Sequence, residues 1–261
     1  MSGTYAVIGD PIDHSLSPAI HNAAFRHLGM DCSYIAYRVP RGELEEGVAG
    51  LREAGIAGFN VTIPHKEGIM QMAEPADEEC RMAGAANTVT VGDVMTCHNT
   101  DVAGFMEPIE GRGIDVSGMS VVVHGSGGAA RAAVVGLSRA GARVSVAARS
   151  ARGAAALRDL ASEMGSEPGG SPEMIVNATP VGMDGVGGSI PLGGAGPGTT
   201  VYDMVYRPPE TRLVRDARKA GCTVILGYEM LLAQAARSFR IWHKRDAPRD
   251  VMRRSLLGGS P

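Results

Sequence analysis

Cysteine is scarce and scattered. The chain's 261 residues hold four, Cys32, Cys80, Cys97 and Cys222, and no two form a C-x-x-C pair. This spacing excludes a zinc ribbon and a dithiol redox motif, so all four read as reduced thiols. No apolar run approaches the roughly 18 residues of a membrane span. The amino-terminal MSGTYAVIGD has no basic stretch followed by an apolar one, so a cytoplasmic protein is expected. Neither sign of charge is in excess: 25 basic against 28 acidic residues give a formal charge of -3. No net positive field therefore draws the molecule to nucleic acid or anionic lipid, and any bound anion must be met by a local site. Glycine and proline together, 51 of 261 residues, fall short of the roughly 25–30% that marks low-complexity chains. What remains is 44% hydrophobic and 20% charged, the balance of a globular protein. At roughly 100–200 residues per domain, the length favours two domains.

Strand and helix patterns alternate along the chain. Thr4 to Ile8 reads as a strand, and apolar or small residues at Ile20, Ala23, Ala24 and Leu28 give Ser17 to Leu28 helical spacing. Ser17 is the expected N-cap, Pro18 fits the first helical position, and Gly29 is the stop. A strand over Ser33 to Val39, a helix around Glu43 to Glu53 and a strand over Gly58 to Thr62 follow, and Pro64 is placed to open another helix. After Gly111-Arg112-Gly113 a second alternation begins. It comprises a strand at Val121 to His124, a Gly-rich turn, a helix at Arg131 to Ala140, a strand at Arg143 to Ala147, a helix at Gly153 to Glu163 and a strand at Met174 to Asn177. Residues 182–198 read as an irregular loop, and Glu229 to Trp242 as the last long helix. The expected class is α/β in two domains: residues 1–103 plus 228–261 with a mainly parallel sheet, and residues 104–227 as a Rossmann-like dinucleotide-binding domain.

The clearest chemical signal is Gly125-Ser126-Gly127-Gly128-Ala129-Ala130 between a strand and a helix. Glycines there let the backbone approach a pyrophosphate, and the helix N-terminus offers it free N–H groups. Where an NAD enzyme needs an acid at the end of the next strand, the chain has Arg149, Ser150 and Arg152. Two cations and a hydroxyl suit the 2′-phosphate of NADP. In the N-terminal part Ser15 and Ser17 flank a helix start that can hold a small carboxylate, while His14 and His21 read as structural. Lys66 is expected in the first turn of a helix, where the dipole is an unfavourable neighbour for an ammonium, and partly buried in a cleft it could protonate a nascent alkoxide or polarise a carbonyl. Asp101 alone reads as an N-cap; against Lys66 it would form a proton-handling dyad.

Taken in order, these blocks resemble the shikimate dehydrogenase family over nearly the whole chain. Gly9-Asp10-Pro11-Ile12-Asp13-His14-Ser15-Leu16-Ser17-Pro18 looks like its substrate-carboxylate motif, which implies that Ser15 and Ser17 hold the shikimate carboxylate. Asn60 to Lys66 is similar to its catalytic-lysine motif, implying a substrate contact for Thr62 and the acid/base role for Lys66. Gly84 to Thr88 and Asn99-Thr100-Asp101 match its next blocks, so Asn87 and Asp101 are implied to bind substrate hydroxyls, with Asp101 also paired to Lys66. The resemblance further implies NADP contacts from Gly125, Ser126, Gly127, Gly128, Ala129, Arg149, Ser150, Arg152, Asn177, Thr179, Met204 and Gly227, and substrate contacts from Tyr206 and Gln234. The chain departs from the family pattern at Cys97-His98, where a glycine is common, at Ala148, at His243-Lys244, and at Pro108 inside a helix.

The activity so implied is the NADP-dependent interconversion of 3-dehydroshikimate and shikimate, with no metal ion, and a homodimer is compatible with it. The rivals are a quinate/shikimate dehydrogenase using NAD or both cofactors, and a catalytically silent NADP-binding sensor on the same fold.

Overall fold

A computed structural model describes residues 2–186 and 188–258. Contact density divides the chain into two compact units, residues 1–100 with 232–261, and residues 101–231.

In chain order the first unit begins β1 (Ser2–Gly9), α1 (Ser17–His27), β2 (Asp31–Arg38), α2 (Leu44–Glu53) and β3 (Ile56–Val61). A 3-10 turn at Gly68–Gln71, β4 (Glu74–Pro75), α3 (Glu78–Ala83), β5 (Thr88–Thr90) and β6 (Thr96–His98) follow. Its six strands are ordered β2-β1-β3-β5-β6-β4. β1 pairs in parallel with β2 and β3, whereas β5 runs antiparallel to both β3 and β6. β1 is central and buried at Tyr5, Ala6, Val7 and Ile8, as a parallel strand covered on both faces must be.

α4 (Thr100–Glu110) leads into the second unit, made of β7 (Ser120–His124), α5 (Gly128–Arg139), β8 (Arg143–Ala147), α6 (Ala151–Glu163), β9 (Met174–Asn177), β10 (Thr200–Asp203), α7 (Arg212–Lys219) and β11 (Thr223–Leu226). α8 (Gly227–His243) starts there and returns the chain to the first unit, which α9 (Arg249–Leu256) completes. The second sheet, β11-β10-β9-β7-β8, is wholly parallel. The chain reverses its direction of winding between β7 and β9, and in open α/β sheets ligands bind outside the carboxyl ends of the strands at that point. Pro108 lies inside α4, which ends two residues later; its missing N–H removes one helical hydrogen bond to the preceding turn. No helix among the described residues is long and apolar enough to cross a membrane.

Three local expectations are corrected. α1 starts at Ser17 with Leu16 at the N-cap, and Ser17 does not cap it; instead the Ser17 N–H donates to Ser15 Oγ at 3.3 Å. No helix opens at Pro64. Residues 63–67 lie in turns and only the four-residue 3-10 segment follows, so Lys66 does not stand in the first turn of an α-helix. Asp101 is the second residue of α4 rather than its N-cap. The irregular 182–198 segment holds neither helix nor strand where described, and Gly187 in it lies outside the described residues. β4, β10, β11, α7 and α9 had no expectation against them: each is only two to eight residues long.

An aromatic cluster fixes α1 and α8 against β1 and β2. His21 stacks on Tyr34 with centroids 4.4 Å apart and planes 4° from parallel, and His243 lies 4.5 Å from Phe239 and 4.9 Å from Tyr5. Both imidazoles are buried, and neither ring has a hydrogen-bond partner. Burial holds the His21 pKa down at about 3, with His243 nearby adding to it, and burial followed by Arg245 holds His243 at about 4. The unfolded chain takes up these protons near the ordinary value and the folded chain does not. The stability that the neutral rings contribute is therefore complete above pH ~6.5 and lost as pH falls toward 4. Between pH 8 and 5 His21 alone removes about 2 kcal/mol. Urea midpoints across that range should fall more steeply for the native chain than for His21→Phe; equal slopes would refute the neutral, buried assignment.

Candidate functional site

In the first unit the motif blocks are drawn together by backbone approaches that leave no room for side chains. A Cβ on Gly9 would lie 2.4 Å from Thr62 Cγ2 and 2.8 Å from the Ile63 carbonyl. The Asp10 N–H donates to that carbonyl at 2.9 Å, and the Thr62 N–H donates to Ile8 O at 2.9 Å. Thus the chain leaving β1 toward Ser15 and Ser17 is tied to the chain leaving β3 toward Lys66. Ser17 is buried and its hydroxyl bonds to Tyr34, a phenol that burial pushes to a high pKa. The Tyr34 hydroxyl in turn donates to Asn60 Oδ1 at 2.6 Å.

Asn60 and Asn87, both buried, carry the network onward. Asn60 Nδ2 donates to the Asn87 carbonyl at 2.9 Å and faces Thr88 Oγ1 and Ser238 Oγ, each at 3.0 Å. Asn87 Nδ2 donates to Thr100 Oγ1 at 2.8 Å and to Gln234 Oε1 at 3.3 Å, and its Oδ1 accepts from the Thr100 N–H at 2.8 Å. The Ala86 N–H donates to the Lys66 carbonyl at 2.8 Å. Consecutive residues, Ala86 and Asn87, therefore hold the backbone of Lys66 on one side and that of Thr100, next to Asp101, on the other. Gly84, left-handed at φ 57°, ends α3 and turns the chain into this segment. Lys66 and Thr62 are half-buried, while Asp101 and Gln234 are buried. The sequence reading assigned no role to Tyr34, Asn60, Thr88, Thr100 or Ser238. Asn60, Thr88 and Thr100 stand inside the quoted blocks as polar residues in apolar or helical contexts, which was the available signal; Ser238 carried none.

In the second unit β7 ends at Gly125, whose φ of 129° is open to glycine, and a Cβ there would lie 2.7 Å from the Ala178 carbonyl just after β9. Gly127 is the N-cap of α5, and a Cβ on it would meet nothing within 4 Å. The turn thus leaves open space in front of the unpartnered N–H groups at the helix start, a cradle for a pyrophosphate. Ala130, at the third position of the motif, is fully buried. Ser126 reaches toward α6: a Cβ on Gly153 would be 2.7 Å from Ser126 Oγ. Ser150 caps α6, its Oγ accepting from the Gly153 N–H at 3.1 Å. Arg149, Ser150 and Arg152 are exposed around this helix start, with no acidic residue from Val144 to Arg152. This donor set fits a phosphorylated adenosine ribose.

The remaining named residues gather around a buried carboxylate. Asp203 accepts from Asn177 Nδ2 at 2.9 Å, from the Val205 N–H at 3.1 Å and from the Thr211 hydroxyl. Asn177 Oδ1 accepts from the Thr179 hydroxyl at 2.6 Å and its N–H at 3.1 Å. A Cβ on Gly227 would fall 2.4 Å from the Met204 carbonyl. With the Met204 N–H donating to the Asn177 carbonyl at 3.0 Å, Asn177, Thr179, Met204 and Gly227 are therefore one packed assembly; burial raises the pKa of Tyr206, two residues after Met204. Burial also raises Asp203, against the three donors that favour its charge. Asp203 stands next to Met204 in the sequence, and the sequence reading assigned it no role.

An amide in place of that carboxylate turns an acceptor into a donor facing donors. Asp203→Asn should cost roughly 2–3 kcal/mol and speed amide exchange at Thr179 and Val205 while leaving α5 protected. Unaltered exchange at those two amides would show that the carboxylate does not hold the loops.

Comparison with known proteins supplies the family. Residues 7–89 match the shikimate dehydrogenase substrate-binding domain and residues 227–257 the shikimate 5′-dehydrogenase C-terminal domain. The shikimate dehydrogenase (NADP(+)) of Nitrosopumilus maritimus is 46% identical over 272 residues, covering 99% of this chain and all of that one. The Thermus thermophilus shikimate 5-dehydrogenase, solved with NADP(H) and shikimate, superposes with a TM-score of 0.86 at 33% identity, covering 100% of both chains. The Corynebacterium glutamicum quinate dehydrogenase, solved with NAD, has a TM-score of 0.86 at 29% identity, covering 98% of this chain and 99% of that one. With this likeness along its full length, the chain belongs to the shikimate dehydrogenase family.

Proposed function

We propose that the protein reversibly reduces 3-dehydroshikimate to shikimate with NADP(H), a step of aromatic amino-acid biosynthesis. The observation that carries this reading is the hydrogen-bond set around Ala86 and Asn87, which gathers the Lys66 and Asp101 blocks onto one short segment. On this reading Gly125, Ser126, Gly127, Gly128 and Ala129 hold the pyrophosphate, and Arg149, Ser150 and Arg152 hold the 2′-phosphate. Asn177, Thr179, Met204 and Gly227 line the nicotinamide end. Ser15 and Ser17 bind the substrate carboxylate, and Thr62, Asn87, Tyr206 and Gln234 its ring hydroxyls. When bound, the cofactor exchanges a hydride with the substrate carbon that bears the reacting oxygen. Lys66 gives that oxygen its proton on reduction and takes it back on oxidation, and the Asp101 carboxylate orients the amine. The buried amide network keeps Asn87 from rotating, so the substrate meets an already ordered surface. Four free thiols support a reducing, cytoplasmic setting. A homodimer is the proposed assembly, supported by the exposed edge strand β2 with Ile35 and Tyr37 outward; sedimentation velocity reads it directly.

Two sets of rates test the reading. Lys66→Ala should lower kcat roughly 10²- to 10⁴-fold while calorimetric shikimate binding stays within a few-fold; undiminished turnover would remove Lys66 from the chemistry and leave the silent-sensor alternative open. With shikimate and quinate each assayed against NADP and NAD, shikimate with NADP should be preferred. Arg149→Ala with Arg152→Ala should raise KM for NADP by roughly 10- to 100-fold and leave NAD nearly unaltered. Preference for quinate with NAD would replace the proposed activity with the one named for the Corynebacterium relative.

A further inference from the structure

The proposed chemistry does not use Cys97. In the first unit its Sγ lies 3.6 Å from Cys80 Sγ and 3.8 Å from Met70 Sδ, and Cys80 Sγ lies 3.1 Å from Met70 Sδ. The three sulfurs form a triangle whose centre is about 2.0 Å from each, close to the ~2.3 Å of a metal–thiolate bond. Both thiols are fully buried, and Met70 is half-buried, a flexible thioether between the pair and the surface.

We infer that Met70, Cys80 and Cys97 form a binding site for a soft monovalent d10 cation, with Cu(I) as its representative. Among the described residues no three His, Cys, Asp or Glu side chains are arranged to hold a metal ion; this trio differs in having a thioether as its third donor. Thiolate and thioether ligands select Cu(I), whereas zinc takes four ligands in a tetrahedron and seldom uses methionine. Charge points the same way. The two buried thiols lie 3.6 Å apart, so loss of one proton on binding leaves one thiolate held beside one thiol. A monovalent ion forms three metal–sulfur bonds, breaks one S–H bond at Cys97 and releases that proton to solvent, leaving a neutral site in the core. No change of oxidation state is involved.

The location gives the site a consequence. Met70 lies four residues after Lys66, Cys80 four before Gly84, and Cys97 four before Asp101. Seating a metal spreads the sulfurs by a few tenths of an ångström and so displaces all three segments that meet at Ala86 and Asn87. Cation binding therefore lowers kcat without competing with substrate. The effect on turnover rests on the proposed activity; the binding itself does not.

The test is a titration of the reduced full-length protein with Cu(I) held by bicinchoninate, under argon. One equivalent should move from the chelator to the protein, with a new copper–thiolate absorption in the ultraviolet. Cys80→Ala and Cys97→Ala should each weaken binding about 100-fold and Met70→Leu about tenfold. Cys32→Ser with Cys222→Ser should retain the equivalent. Met70→Leu conserves volume, so it reads the third ligand even if a cysteine variant unfolds, and thermal melts identify such a variant. No transfer of Cu(I), transfer abolished by the Cys32/Cys222 pair, or Met70→Leu binding as tightly as the native chain would each overturn the assignment. So would oxidation of Cys80 and Cys97 to a disulfide, seen as a loss of two hydrogens by mass, in place of metal uptake. If binding occurs but shikimate turnover is absent with and without copper, the site stands and the proposed activity fails.

Discussion

A primary amide buried in protein must have its donors and its acceptor satisfied, because leaving one unpaired costs on the order of 1–3 kcal/mol. Asn87 meets that requirement with Thr100 and Gln234 brought to it, and Asn60 meets it with Tyr34 at its oxygen and Asn87, Thr88 and Ser238 at its nitrogen. Residues separated by up to 178 positions are thereby held to one another in the first unit. This network fixes where the Lys66 segment, the Asp101 segment and the returning helix α8 lie. A half-satisfied version would be worse than an apolar core, so the arrangement is close to all-or-none.

The second unit repeats the logic with a carboxylate at the hub. Asp203 draws Asn177, Val205 and Thr211 inward, so the chain leaving β9 and the chain leaving β10 cannot move independently. At the other side of the reversal in strand order, Gly125 lets β7 end against Ala178. In both units the residues assigned to ligand binding stand near strand ends or on the helices that follow them, and the hubs Asn87 and Asp203 tie those segments to other parts of the chain.

The apolar part of the first unit supports this arrangement and carries two unusual features. His21 and His243 serve as aromatic packing rather than as acids or bases, since neither ring nitrogen has a partner and burial keeps both neutral. The sulfur trio of Met70, Cys80 and Cys97 lies in the same unit's core, among Ile69, Val89 and Ala73.

Periodicity and punctuation determined much of the fold. β8 and β9 stand at the expected residues, and β7, α2 and α6 within two of them, because these segments are long enough for their apolar spacing to register and are bounded by glycine or a cap. The Gly-rich turn was legible because its requirement is local: a strand, a conformation open to glycine, a helix start. The Ser17 cap, the helix at Pro64 and the Asp101 cap were misread for the converse reason. Residue preference at a helix end is worth about 1 kcal/mol, and here the backbone is dictated by distant partners: Ile8 and Ile63 at the ends of β1 and β3, and Asn87 at the start of α4. The composition of the sites was thus written in the motifs. Which polar residues serve as hubs, and that two thiols and a thioether spread over 27 positions of chain share one small space, followed only from folding, since hydrogen-bond satisfaction and close packing act on neighbours in space rather than in sequence.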